Sequence, residues 1–419
     1  MPRRRIAVVG SGVAGLTASY VLQRDADVIL YEADHRLGGH ADTHELLGAD
    51  GALRRVDTGF IVHNQRTYPT LLRLFGELGV ATQESDMSMS ISCAGCGLEY
   101  AGGRGLSGLL PSVRTVARPR YIRLLTEAAR FYREAHAVLA AADDGVTVRE
   151  FLARGGFSTY FADHFVTPVI AAVWSMAPTE AGDYPARYLF TFLENHGALS
   201  VKGSPVWYTV VGGSARYVER AAKGLTAVQT STPVRAVTRV GDGVEIRDDA
   251  DEVVHFDAAV LATHPHQALG MLTAPTADER DVLGAIGYTV NPTLLHTDTS
   301  VLPRTRRAAA SWNYAMPSCR ALPTAVHVSY DMNRLQRLDA PETYIVTLNG
   351  DDRVDPAKVI DRMTYEHPIY TMASVAARER LPELNDSRLA FAGAYHGWGF
   401  HEDGCRSGVA AAASLGVDW

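Results

Sequence analysis

Two stretches of this chain carry residue types whose spacing could do chemistry. The first is GSGVAG, residues 10–15, directly after the apolar run IAVVG. Gly10 permits a tight turn, Gly12 lets backbone approach a pyrophosphate, and Gly15 lets a helix pack on a strand. A helix starting near Val13 and Ala14 aims its free N–H groups and its dipole at that phosphate. Glu32 ends VILYE, which reads as a second strand, and its carboxylate can accept hydrogen bonds from ribose hydroxyls. Strand, glycine turn, helix and strand in register turn a weak glycine pattern into a dinucleotide-binding unit. The second stretch is GAYHGWGFHEDGCRSG, residues 393–408, ahead of an alanine run. Trp398 and Phe400 could wall a site against water. His401 could orient a polar group or move a proton near neutral pH, which makes these three the candidate catalytic residues. Asp403 more simply caps the helix that follows.

Residues 32–40, EADHRLGGH, show which dinucleotide to expect. With the glycine motif they resemble the extended signature of flavin amine oxidases and their relatives, which bind FAD. The resemblance implies that Ala33, Arg36 and the doublet Gly38-Gly39 lie near the pyrophosphate and ribityl chain, with Arg36 supplying charge. Relatives often carry arginine after the doublet; here it is His40. VDTGF (56–60) resembles the strand returning to the flavin, with Gly59 and Phe60 beside it. The strand holding Val234 is expected against the adenine. DAAVLATHP delivers Ala262 toward the cofactor, and RLAFAGAY delivers Gly393. Where the family commonly has an acidic residue after FAG, this chain has Ala394. GCRSGVAAAASLG then matches the helix that points its N-terminus at the flavin pyrimidine edge, with Gly404 and Ser407 in contact. Such a dipole stabilises negative charge on reduced flavin. VDTGFIVHNQRTYP, SWNY, MNRLQ and GFHEDG are similar more closely to a group of bacterial amine-oxidase-like, FAD-dependent oxidoreductases. Their genes often accompany enzymes that modify unsaturated fatty acids, a lead toward lipid.

These motifs require an α/β architecture. A Rossmann-like FAD-binding domain of glutathione-reductase and amine-oxidase topology is expected from 1–66, 206–268 and 386–419. A substrate domain with a mixed sheet and a helical insert (α+β) is expected from 67–205 and 269–385. DMSMSIS (86–92) reads as a strand burying Met87, Met89 and Ile91; LLHTDTSVL, TAVHVSY, TYIVTLN and SWNYAMP also read as strands. SWNY, with Trp312, Asn313 and Tyr314, is the next place to look for pocket residues. The pair in CAGC has no second cysteine pair at ligand spacing, so no metal site is expected.

Composition narrows the function class. The chain has 419 residues and a net charge of -7, which argues against nucleic acid as a partner. Four cysteines make no disulfide framework, and no run of 18 apolar residues spans a membrane. The basic-then-apolar start lacks the length and cleavage site of a signal peptide, so a cytoplasmic location is expected. Residues 103–133 hold seven arginines and one glutamate among LSGLL, YIRLL and FYR. That is either a solvated helix face or a basic surface for peripheral contact with anionic lipid or an acyl carboxylate.

The resemblance implies an FAD enzyme that accepts hydride at flavin N5 from a C–H bond. Three readings follow: oxidation of a small or lipophilic substrate such as an unsaturated fatty acyl chain, redox-neutral double-bond isomerisation of unsaturated fatty acids, and amine oxidation. A non-enzymatic flavin-binding protein is a fourth. Relatives that oxidise amines usually carry a lysine in the region matching 287–298. This chain has none there; its lysines are Lys202, Lys223 and Lys358. An apolar tunnel favours the first two readings, whereas a short pocket with an aromatic pair and an acid favours the third.

Overall fold

The computed structural model describes residues 3–142, 145–199, 204–319 and 323–419; Lys202 lies outside the described residues. A five-stranded parallel sheet carries the nucleotide end. Its order is Ala227–Gln229, Ala26–Tyr31, Arg4–Val9, Ala258–Leu261, Leu389–Phe391. These strands read as continuous apolar runs because both faces are covered. Ile6, Val8, Val28, Leu30, Val260 and Ala390 face a helical layer. Their neighbours Ala7, Val9, Ile29, Tyr31, Leu261 and Phe391 face the three-stranded antiparallel sheet Val234–Val240, Gly243–Asp248, Val253–Phe256. Period-two alternation thus sends each strand's side chains into two separate cores.

The helical layer contains Val13–Leu22, Ala215–Ala222 and His401–Ser414. A Cβ on Gly408 would lie 2.3 Å from the Ala14 carbonyl oxygen, so small residues let the first and last helices touch backbone to backbone. The last helix starts at His401, earlier than GCRSG suggests. Asp403 explains the shift: its carboxylate accepts the Trp398 and Phe400 N–H groups at 3.0 and 3.1 Å, closing the first turn around HED.

A seven-stranded mixed sheet builds the other half, in the order Val359–Pro368, Tyr288–His296, Ile345–Leu348, Val328–Asp331, Trp312–Met316, Met89–Cys93, Leu98–Gly102. The expected helical insert packs on it through helices that include Pro119–Ala140, Thr167–Trp174 and Ala186–Asn195. Phe131 centres their contact, with Phe151, Phe161 and Phe190 rings 5.4–5.8 Å away.

One helix packs across a boundary expected from the sequence, and one strand departs from simple alternation. The helix Pro69–Leu78, placed by sequence in the substrate half, buries Leu71, Leu74 and Phe75 in the nucleotide-side core. Its N-terminus is tied there by Glu402, which accepts the Thr70 and Leu71 N–H groups at 3.0 and 2.9 Å. Packing therefore runs across the boundary drawn at residue 66. On the strand Met89–Cys93, the fully buried polar residue is Ser90, bonded to Asn313 at 2.9 Å, while Met87 and Met89 are only half-buried. Both faces of that strand are covered, so simple alternation misassigns it.

Candidate active site

A cavity of about 1560 Å³ runs between the two sheets. A typical single-ligand site holds about 300–1,000 Å³, so there is room here for a dinucleotide and a second molecule. At one end it is lined by residues 9–14, Tyr31, Glu32, Ala33 and Thr232 to Val234. The Gly10 turn is fixed by its N–H donating to the Tyr31 carbonyl at 2.8 Å. Glu32 accepts from the Ser11 N–H at 2.9 Å and the Ser11 hydroxyl at 2.5 Å. The same hydroxyl accepts the Gly38 N–H at 3.0 Å, so one carboxylate braces both glycine loops.

Of the residues expected near the cofactor, Gly10, Gly12, Val13, Ala14, Glu32, Ala33, Gly39, His40, Gly59, Phe60, Val234, Ala262 and Gly393 line the cavity. Gly15, Arg36, Gly38, Gly404 and Ser407 do not. Arg36 pairs with Asp42 at 3.0 Å and donates to the Gly39 carbonyl at 3.0 Å, so its charge is already partnered and it holds the doublet in shape. Gly404 faces Val13, where a Cβ would lie 2.6 Å from Cγ1. Ser407 accepts the Gly393 N–H at 2.9 Å and positions that turn.

The three candidate catalytic residues all line the cavity. His401 stacks on Phe60 with ring centroids 3.7 Å apart, and its Nε2 meets the Tyr217 hydroxyl at 3.1 Å. Phe400 stacks on Phe192 at 5.1 Å, and the Trp398 carbonyl accepts the Trp174 indole N–H at 3.1 Å. Burial pushes His401 down to about 3, so the imidazole is neutral throughout the physiological range. The proton transfer expected of it near neutral pH does not suit that environment; what it presents is a neutral ring and one hydrogen-bonded nitrogen. Burial pushes its neighbour Asp403 up to about 6.

A second polar group was not visible as a site in the sequence. His40, His264, Tyr365, Glu366 and His367 meet along the cavity wall. The His40 ring is 4.9 Å from Tyr365 and 5.5 Å from His367, and His264 Nδ1 meets Glu366 at 2.9 Å. Burial lowers all three histidines, His367 to about 4. The ring of His40 keeps a buried Nε2 with no hydrogen-bond partner. The only local signal was the cluster of titratable residues in TYEHP, about a hundred positions from His264.

Beyond these groups the wall is hydrocarbon and aromatic: Met89, Leu124, Tyr132, Phe165, Val173 and Leu193 are representative. Among the described residues no lysine or aspartate lines the cavity; its carboxylates are Glu32 and the histidine-bound Glu366. Lys223 caps the helix Ala215–Ala222, and Lys358 pairs with Asp298 at 3.0 Å. Trp312 of SWNY lines the cavity, whereas Asn313 and Tyr314 are buried beside it.

A Rossmann-type sheet, a second sheet facing it, and a dinucleotide cradle that opens onto an apolar chamber define an FAD-dependent oxidoreductase. The chain belongs to the family of flavin containing amine oxidoreductases, which it matches over residues 13–415. Among solved structures, wild-type putrescine oxidase bound to putrescine is similar over 98% of each chain, at 17% identity and a TM-score of 0.69. Cyclohexylamine oxidase from Brevibacterium oxydans IH-35A is similar over 99% of each chain, at 16% and 0.66. The CLA-producing fatty acid isomerase from P. acnes is similar over 97% of each chain, at 17% and 0.65. At these identities the likeness carries the fold. No curated protein matches the chain.

FAD is the cofactor, and the cradle fits it. A Cβ built on Gly12 meets no protein atom within 4 Å, so the space before that helix N-terminus is open for a pyrophosphate. Glu32 and Val234 line the same cavity as that helix N-terminus, and so do the aromatic residues Phe60 and Phe400.

Proposed function

We propose that this oxidoreductase acts on a C–H bond of a long, apolar, unsaturated acyl chain. The observation that carries the reading is the cavity wall beyond the cradle: hydrocarbon and aromatic side chains, with no unpaired carboxylate among the described residues to receive an ammonium group. An amine substrate would leave its charge desolvated there, which is costly. FAD supplies the acceptor for a hydride. The chain's own residues hold the alkyl group by apolar contact, exclude water through Trp398, Phe400 and Phe192, and present the neutral His401 and the histidine cluster as hydrogen-bonding groups. The same chamber suits a redox-neutral shift of a double bond, and the P. acnes fatty acid isomerase, similar in fold, is named for a reaction of that kind.

The test is anaerobic mixing with unsaturated acids of increasing length. Each buried methylene contributes about 0.8 kcal/mol, so kcat/KM should rise about fourfold per methylene until the chamber is filled. Lasting bleaching of the flavin band marks net oxidation; an isomeric product with the band restored marks isomerisation. A flat length series, or turnover of short amines alone, refutes the reading.

The arginine-rich segment supports delivery from an anionic membrane surface. Gly103, Gly105, Leu109 and Leu124 line one side of the cavity, while Leu106 and Val113 are 75% and 85% exposed among the arginines. Exposed apolar side chains interleaved in sequence with arginines fit the interface of anionic lipid. No described helix is long and apolar enough to cross a membrane. The protein should co-sediment with phosphatidylglycerol vesicles and not with phosphatidylcholine ones, and Val113→Asp with Leu106→Asp should abolish binding while FAD content holds. Equal sedimentation of the double variant refutes the contact.

A further inference from the structure

We propose that Cys93, Cys96, Cys319 and His164 form a tetrahedral zinc site that fastens the helical insert to the substrate-side sheet. This inference does not rest on the identity of the substrate. The sequence offered only the pair in CAGC; the fold brings the other two groups from 68 and 226 residues away. The three sulfurs and the His164 ring nitrogen lie within 4.8 Å of one another. Cys93 and Cys319 sulfurs are 3.5 Å apart, and the Cys96 sulfur is 3.8 Å from His164 Nε2. With Zn–S of about 2.3 Å and Zn–N of about 2.0–2.1 Å, a tetrahedral ion sets its ligand atoms about 3.5–3.8 Å apart. A disulfide would need about 2.05 Å.

The surroundings have the features of a metal site. His164 is 1% exposed, and its Nδ1 is 3.1 Å from the Tyr160 carbonyl. That hydrogen bond places the proton on Nδ1 and leaves the Nε2 lone pair facing the sulfurs, the usual outer bond of a histidine ligand. His164 sits in a π-helical turn, Ala162–Val166, a widening that often marks a functional position. The turn after Cys93 is closed by the Gly97 N–H donating to the Cys93 carbonyl at 2.7 Å, with Gly97 at φ +66°. Gly95 packs on the Cys319 strand exit, where a Cβ would lie 2.8 Å from the Cys319 nitrogen. Three sulfurs and one imidazole in this geometry select zinc over oxygen-seeking ions.

The position gives the site a purpose. The strand Met89–Cys93 carries Met89 and Ile91 into the cavity wall, and the His164 turn carries Phe165 and Val166. An ion at their ends would lock two sides of the substrate chamber together. To test it, the protein is produced without an affinity tag, under reductant and without chelator, and assayed for zinc and FAD per chain. About one zinc is expected, falling at least tenfold in Cys96→Ser and in His164→Gln, with FAD per chain unchanged. If those variants fail to fold, wild-type protein stripped of metal by a mild chelator and titrated with cobalt(II) should develop thiolate-to-cobalt charge-transfer bands and tetrahedral d–d bands. Chelation should also lower the melting temperature. Protein that holds no zinc and gives no such bands, or that carries a Cys93–Cys319 disulfide by mass spectrometry, overturns the proposal.

Discussion

Replacing Gly12 by Val should yield folded, colourless protein. The backbone at Gly12 has φ -62° and ψ 175°, a region open to any residue, and its Cβ direction meets no protein atom within 4 Å. The valine Cβ meets open space. The space it enters is the one a pyrophosphate needs at the helix N-terminus, so FAD per chain should fall at least about tenfold while the circular dichroism stays native. Gly15→Val is the contrast. A Cβ there would lie 1.9 Å from the Gly10 carbonyl oxygen, so the helix cannot seat on its strand, and this variant should not accumulate as folded protein. If Gly12→Val retains a full complement of FAD, the cradle has been misplaced.

Val173→Asp should cost the enzyme its long-chain substrate and leave its flavin in place. Val173 lies on the helix Thr167–Trp174, half-buried, and lines the cavity among hydrocarbon groups. A carboxylate facing an alkyl chain must either be stripped of water or hold water where the chain should lie. The loss should reach at least about 3 kcal/mol, a hundredfold or more in kcat/KM for a long unsaturated acid. Val173→Ile keeps the wall apolar and should stay within about threefold, since such swaps cost little. Undiminished turnover by Val173→Asp, measured on protein with normal flavin absorbance, means the chain does not pass that helix. A gain in amine turnover by the same variant would favour amine oxidation instead.

The two tests probe different orders of information. Gly10, Gly12, Gly15 and Glu32 lie within one strand–turn–helix–strand unit, where consecutive residues dictate backbone geometry, so spacing alone marks that unit as the expected cradle and the resemblance names FAD. The same holds for the apolar runs of the parallel sheet and for the strands around SWNY and TYIVTLN. Arg36, Gly38, Gly404 and Ser407 were legible as belonging to the cofactor region, but spacing does not say whether a side chain faces the ligand or braces the residue that does.

What the tertiary structure alone decided depends on contacts between distant segments. The last helix begins at His401 because Asp403 reaches back to two N–H groups, and His401 is neutral because Phe60, Tyr217 and their neighbours exclude water from it. The histidine cluster joins the residue after the glycine doublet to the ends of two later strands. The cysteines of CAGC find a third cysteine and a histidine only when the insert folds onto the sheet. The length of the apolar chamber is set by helices whose apolar faces look, in sequence, like any other core. By itself the sequence determined this chain's dinucleotide unit, because local backbone geometry is written in adjacent residues. Burial, protonation state and the shape of the chamber arise from long-range packing, which adjacent residues do not encode.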